Sequence, residues 1–154
     1  MEPVVDAQNP GLDALRRLRA ELRQSMTGLE QALAAPTSGR LAAWAERVDA
    51  ALATLSADFG EHVAVTEEPD GTHDGVLAAA PRLAHAVRRL VGDHAVIAAA
   101  VGDLAARVRP PVPADEVDAI RDLGTALLGR LARHRQHGAD LIYHAYQVDL
   151  GGET

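Results

Sequence analysis

Four stretches of this chain carry apolar residues at alternating steps of three and four, and proline or glycine clusters end them. Such spacing lines one side of an α-helix with apolar side chains and leaves the other sides to water. The first stripe reads Leu12, Leu15, Leu18, Leu22, Met26, Leu29 and Leu33, and stops at Pro36-Thr37-Ser38-Gly39. The second runs Leu41, Trp44, Val48, Leu52, Leu55, Phe59, His62 and Thr66, up to Pro69-Asp70-Gly71. The third is Leu83, Val87, Leu90, His94, Ile97, Val101, Leu104 and Val108, before Pro110-Pro111-Val112-Pro113. The fourth is Val117, Ile120, Gly124, Leu127, Leu131, His134, Gly138, Leu141, Ala145 and Val148.

These stripes predict helix A over 11–35, helix B over 39–67, helix C over 81–108 and helix D over 114–149. Ser38 is the expected cap of helix B and Pro81 suits the first turn of helix C, while the stretch between B and C has room for a short turn of helix. Each stripe is narrow and follows a seven-residue rhythm, the pattern of helices packed at ~20° around a common axis. Short connections make consecutive helices antiparallel neighbours. The expected fold is therefore all-α, an up-down-up-down four-helix bundle over a single domain spanning 1–154. Glycines within helices C and D, among them Gly92, Gly102, Gly124 and Gly138, each cost about 1 kcal/mol against alanine, which points to close helix approach at some of them.

Composition narrows the function. A formal charge of −7 argues against a nucleic-acid partner, since that affinity rests on a cationic surface. Without cysteine there is no disulfide framework and no thiolate ligand or nucleophile, so a bound metal falls to imidazole and carboxylate. The acidic start MEPVVDAQNPGLD does not read as a signal peptide, and no apolar run reaches the ~18 residues of a membrane span. The expectation is a soluble, cytoplasmic protein. Nothing pairs a nucleophile with a base or builds a phosphate-cradling loop, so the chain does not read as an enzyme.

The informative residues are His62, His94 and His134, one on each of helices B, C and D, at positions otherwise given to Leu, Val and Ile. A buried imidazole without a partner costs about 1–3 kcal/mol, so each requires a metal, a carboxylate, a carbonyl or water. Chance alone puts about two of the helical histidines on a seam; their distribution, one per helix, is what a ligand sphere built from facing helices requires. Glu67 and Asp140 are the nearest candidate carboxylates, five residues after His62 and six after His134. Helix A offers the seam only Leu and Met, which places any metal toward helices B, C and D. Glu67, Glu68, Asp70, His73 and Asp74 cluster at the end of the bundle with no calcium-loop spacing, as a solvated turn would.

The segments FGEHVAVTEEPDG, APRLAHAVRRLVGDHAVI and LARHRQHGADLIYHAYQVDLGG resemble small bacterial hemerythrin-like proteins, the HHE cation-binding family, over 41–152. The resemblance implies a four-helix bundle with a non-haem iron centre that binds O₂ or a related small ligand. His62, His94 and His134 match family histidines, and the resemblance points to Glu67 and Asp140 as carboxylates near them. The match is partial: Thr66 stands where the helix B carboxylate is expected, Ala98 where a second helix C histidine is expected, Ala139 where the helix D acid is expected, and helix A has no histidine. The set suits a single iron or zinc ion better than an iron pair. The alternative from another class is a metal-free bundle serving as an interaction or small-ligand module, its histidines bonded to one another or to water.

Overall fold

The structure, a computed structural model, describes residues 10–147 and Leu150. Among these residues lie the helices α1 (Pro10–Ala34), α2 (Leu41–Glu67), α3 (Thr72–Ala79), α4 (Ala84–Arg107) and α5 (Val117–Tyr146), with single 3₁₀ turns at Pro81–Leu83 and Ala114–Glu116 leading into the last two. No strand occurs among the described residues. The four long helices coincide with the four predicted ones within a few residues. The end of helix D at 149, and Val148 on its stripe, lie outside the described residues.

Two local expectations need correction. Ser38 does not cap α2: Arg40 holds that position, without a side-chain cap bond, and a tight turn closed by Arg40 N–H to the Thr37 carbonyl (2.8 Å) precedes it. Gly39 supplies the left-handed residue of that turn (φ +69°), which glycine adopts at low cost. The stretch between α2 and α4 is a helix of eight residues, α3, that buries His73 and Val76. The acidic cluster around it is therefore not wholly a solvated turn.

Packing follows the stripes. α1 lies against α2 and α5, α4 lies against α5 and α2, and α3 bridges α2 and α5. The buried residues form two apolar clusters. The larger contains Leu22 and Leu29 of α1, Trp44 to Phe59 of α2, Ile97 to Leu104 of α4 and Val117 to Leu131 of α5. The smaller contains Leu12 and Leu15 of α1, Val76 of α3, Val87 and Leu90 of α4, and Leu141 and Ile142 of α5. Between the two clusters along α1, α4 and α5 stand the buried Arg19, His94, His134 and Arg135, and on α2 the buried His62 and Thr66 follow its part of the larger cluster. The core is thus two apolar layers separated by a polar one.

At the far end of the larger cluster, the Arg121 guanidinium donates to the carbonyls of Leu33 and Ala35 (2.8 Å each) and lies 5.6 Å from the Trp44 ring centroid. It satisfies carbonyls that the end of α1 leaves without helical partners. Of the helical glycines, Gly124 answers the expectation of close approach: a β-carbon there would lie 2.3 Å from Leu33 Cδ1, whereas Gly92 and Gly102 face open space. No helix among the described residues is long and apolar enough to cross a membrane.

Candidate metal centre

In the polar layer the three seam histidines converge. His62 of α2, His94 of α4 and His134 of α5 are 7%, 5% and 3% exposed, with ring centroids 5.4, 5.3 and 4.9 Å apart for the pairs 62–94, 62–134 and 94–134. One ring nitrogen from each lies within 4.8 Å of the others. The seam explains the convergence: each histidine replaces an apolar residue aimed at the axis, and Phe59, one turn before His62, packs its ring within 5.8 to 6.3 Å of all three. Thr66, at the position of the expected carboxylate, donates its hydroxyl to the carbonyls of His62 (3.0 Å) and Val63 (3.1 Å) within its own helix.

Carboxylates orient two of the rings from outside. His94 Nδ1 is hydrogen-bonded to Glu67 Oε2, and His134 Nδ1 to Asp93 Oδ2 at 3.2 Å. An ionised carboxylate only accepts, so both Nδ1 atoms carry the proton and a neutral ring keeps its lone pair on Nε2. The Nε2 atoms of His62 and His134 are 3.2 Å apart. With His134 Nε2 bare, His62 is the donor in that contact, and its own Nδ1 becomes a buried acceptor. Neither His62 Nδ1 nor His94 Nε2 has a hydrogen-bond partner among the described residues. Orphaned buried acceptors cost about 1–3 kcal/mol each. A metal ion removes the cost at His94 directly; at His62, binding through Nε2 moves the ring proton to Nδ1, which then stands as a donor without a partner among the described residues. The 3.2 Å separation also approaches the ~3.3 Å edge that bonds of ~2.0–2.1 Å give a tetrahedral ion.

Burial disfavours the charged form of His62 and His134. Desolvation, followed by the neighbouring His134, His94, Arg19 and His73, lowers the pKa of His62 to about 3. His134 is lowered by desolvation, with the bond to Asp93 opposing. Uncharged imidazole is the form that binds a metal.

A fourth histidine, His73 of α3, stacks on His94 with ring centroids 6.1 Å apart and planes 9° from parallel. It is 7% exposed, its Nδ1 has no partner among the described residues, and burial lowers its pKa to about 4. A cavity of about 20 Å³ is lined by His62, His73 and His134 together with Arg19, Thr66 and Leu90. The α1 side of the layer is accordingly not wholly apolar, as its stripe suggested. Arg19, one place beyond the Leu18 of that stripe, is 5% exposed and donates to the Arg135 carbonyl at 3.1 Å.

Of the carboxylates singled out in the sequence, Glu67 reaches the site as the partner of His94. Asp140 does not join the trio: it is exposed and accepts from Gln136 Nε2 at 3.0 Å. It lines a groove of about 220 Å³ between α4 and α5 together with Asp93, His137 and His144. Asp93 takes the place in the site expected of Asp140. No spacing rule reveals it, because Asp93 adjoins His94 in the chain yet serves His134 across a helix interface. Leu90 and Leu141 line both this groove and the small cavity. Leu90→Ala should join the two spaces, and the loss of a packed leucine beside an existing void is expected to cost at least about 2 kcal/mol in denaturant unfolding. A loss under half that would mean the wall collapses around the smaller side chain.

The chain has no significant match to any protein-family model, curated protein or solved structure.

Proposed function

We propose that this protein is a hemerythrin-like bundle that binds one non-haem metal ion, iron by the family resemblance, through the Nε2 atoms of His62, His94 and His134. The observation that carries the reading is the inward convergence of three buried imidazoles, two of them oriented by carboxylates on Nδ1. Imidazole–carboxylate pairs of this form set the tautomer and raise the basicity of metal-bound histidines. Three histidine nitrogens would leave a bound ion room for a further ligand, and the ion would supply a Lewis-acidic point for water, O₂ or another small ligand. The chain's own contribution is to hold the lone pairs inward, exclude bulk water and disfavour protonation of His62 and His134.

The up-down-up-down arrangement belongs to the same proposal. Along α1 and α4 the chain passes from the smaller apolar cluster to the larger, and along α5 from the larger to the smaller; α2 runs from the larger cluster to the histidines. Alternation of this kind, with each long helix packed on two others, supports antiparallel neighbours.

A specific contact favours a second reading. The 3.2 Å bond between His62 and His134 is one that a metal-free interaction or ligand-binding module would use to satisfy its core. The two readings differ in one measurement. Elemental analysis of protein purified without chelator or affinity-tag metal should find close to one iron ion per chain. A content below about a tenth, unchanged after anaerobic incubation with Fe(II) or Zn(II), would reject the metal site and leave the second reading.

A further inference from the structure

The three nitrogens that face one another do not include those of His73, which nonetheless lines the same cavity as His62 and His134. It stands outside the ligand triangle, on the wall of a cavity that it shares with two of the three ligands. Its imidazole is nine-tenths buried, stacked flat on His94, with Nδ1 unpartnered. An apolar side chain would stack equally well there without leaving a polar atom orphaned, so the histidine needs a partner that the described residues do not provide. The cavity is of about 20 Å³, and a buried water needs roughly 10–15 Å³ by this measure. Its size therefore selects a ligand of one or two heavy atoms.

Building on the metal-binding reading, we propose that His73 hydrogen-bonds the small ligand held at the metal's open position, and so sets which ligands bind there. The favoured class is water-sized with hydrogen-bond acceptor capacity, such as water, hydroxide or a monatomic anion, because a ring nitrogen bearing its proton donates to it. The helix α3 delivers this residue: the turn at Gly71 brings the chain back from the end of α2, where a β-carbon would lie 2.5 Å from the Val65 carbonyl oxygen. That turn leads into the helix that stacks His73 on His94. His73 is a positioning residue toward the ligand, not a ligand of the ion.

Fluoride is the probe, being the size of hydroxide and a strong acceptor. The full chain is loaded with Co(II), whose affinity is measured by chelator competition. Fluoride binding is then followed by the visible bands and by ¹⁹F line broadening. Wild type should bind fluoride saturably. His73→Phe, which keeps the stacked ring and removes the hydrogen bond, should hold Co(II) within about threefold of wild type yet weaken fluoride at least about tenfold. His73→Gln, which restores a donor, should recover most of the loss. Equal fluoride affinity in wild type and His73→Phe, or no saturable fluoride binding to Co(II)-loaded wild type, would overturn the proposal while leaving the metal site intact. A hundredfold loss of Co(II) affinity in both variants would also overturn it, by making His73 a ligand of the ion. Failure of wild type to bind Co(II) would reject the metal site, and the proposal with it.

Discussion

His134→Leu is expected to abolish stoichiometric metal binding, weakening affinity by more than about a thousandfold, because His134 ties the site together. It contacts His62 through Nε2 and Asp93 through Nδ1, and its ring is the closest to that of His94. Removing it leaves two imidazoles on α2 and α4, too few to displace water from a first-row ion in a buried site. The outer carboxylates give a graded version of the same result. Asp93→Ala and Glu67→Ala should each cost about 10–100-fold in affinity, because the ring on which each acts loses its fixed tautomer. Asp140→Ala should stay within about twofold, since Asp140 is exposed and bonded to Gln136. The contrast is decisive by chelator competition on folded variants. If Asp140→Ala weakened binding as much as Asp93→Ala, the ion would lie toward the groove between α4 and α5 and not among the three histidines.

Acid should unfold the metal-free protein unusually early. His62 has a pKa of about 3 in the fold against about 6.5 in the unfolded chain, so between these values the unfolded state binds the extra proton. Stability then rises with pH, is fully present above about 6.5, and is lost progressively as pH falls toward 3. From His62 alone the loss is about 2 kcal/mol at pH 5 and about 3 kcal/mol at pH 4. His73, lowered to about 4, and His134, also lowered, act in the same direction. For a domain of ordinary stability, ~5–15 kcal/mol, this is a large share. Urea midpoints measured from pH 7.5 to 4 should fall steeply in wild type and less steeply in His62→Leu, which removes one of the acid-sensitive groups. Identical slopes would mean that His62 is protonated in the folded protein and that the histidines do not share a dry pocket.

How much of this was readable without coordinates varies along the chain. The four long helices were, because periodicity and helix breakers are local properties. Leu22, Trp44, Leu55, Leu90, Val101, Leu127 and Leu131 are all buried as their stripes require. That His62, His94 and His134 face inward follows from the same periodicity, since a residue at an apolar helical position points where its neighbours point. Whether they stand at one level does not follow. His62 lies about 8 Å from the end of α2 and His94 about 15 Å from the start of α4 at ~1.5 Å rise per residue. The two rings meet because α3 and the Pro81–Leu83 turn fill the chain between those helices and offset their ends.

The outer partners were readable only in part: Glu67 stood out as a nearby carboxylate, and Asp93 did not. Asp93 and Glu67 act on histidines of another helix, His73 arrives on a connecting helix, and Arg19 enters from a stripe of leucines. Sequence spacing carries the direction of a side chain within its own helix. Which groups from different helices share a height and an azimuth is decided by interhelical packing and by the length of the connections, and the candidate site is made of those relations.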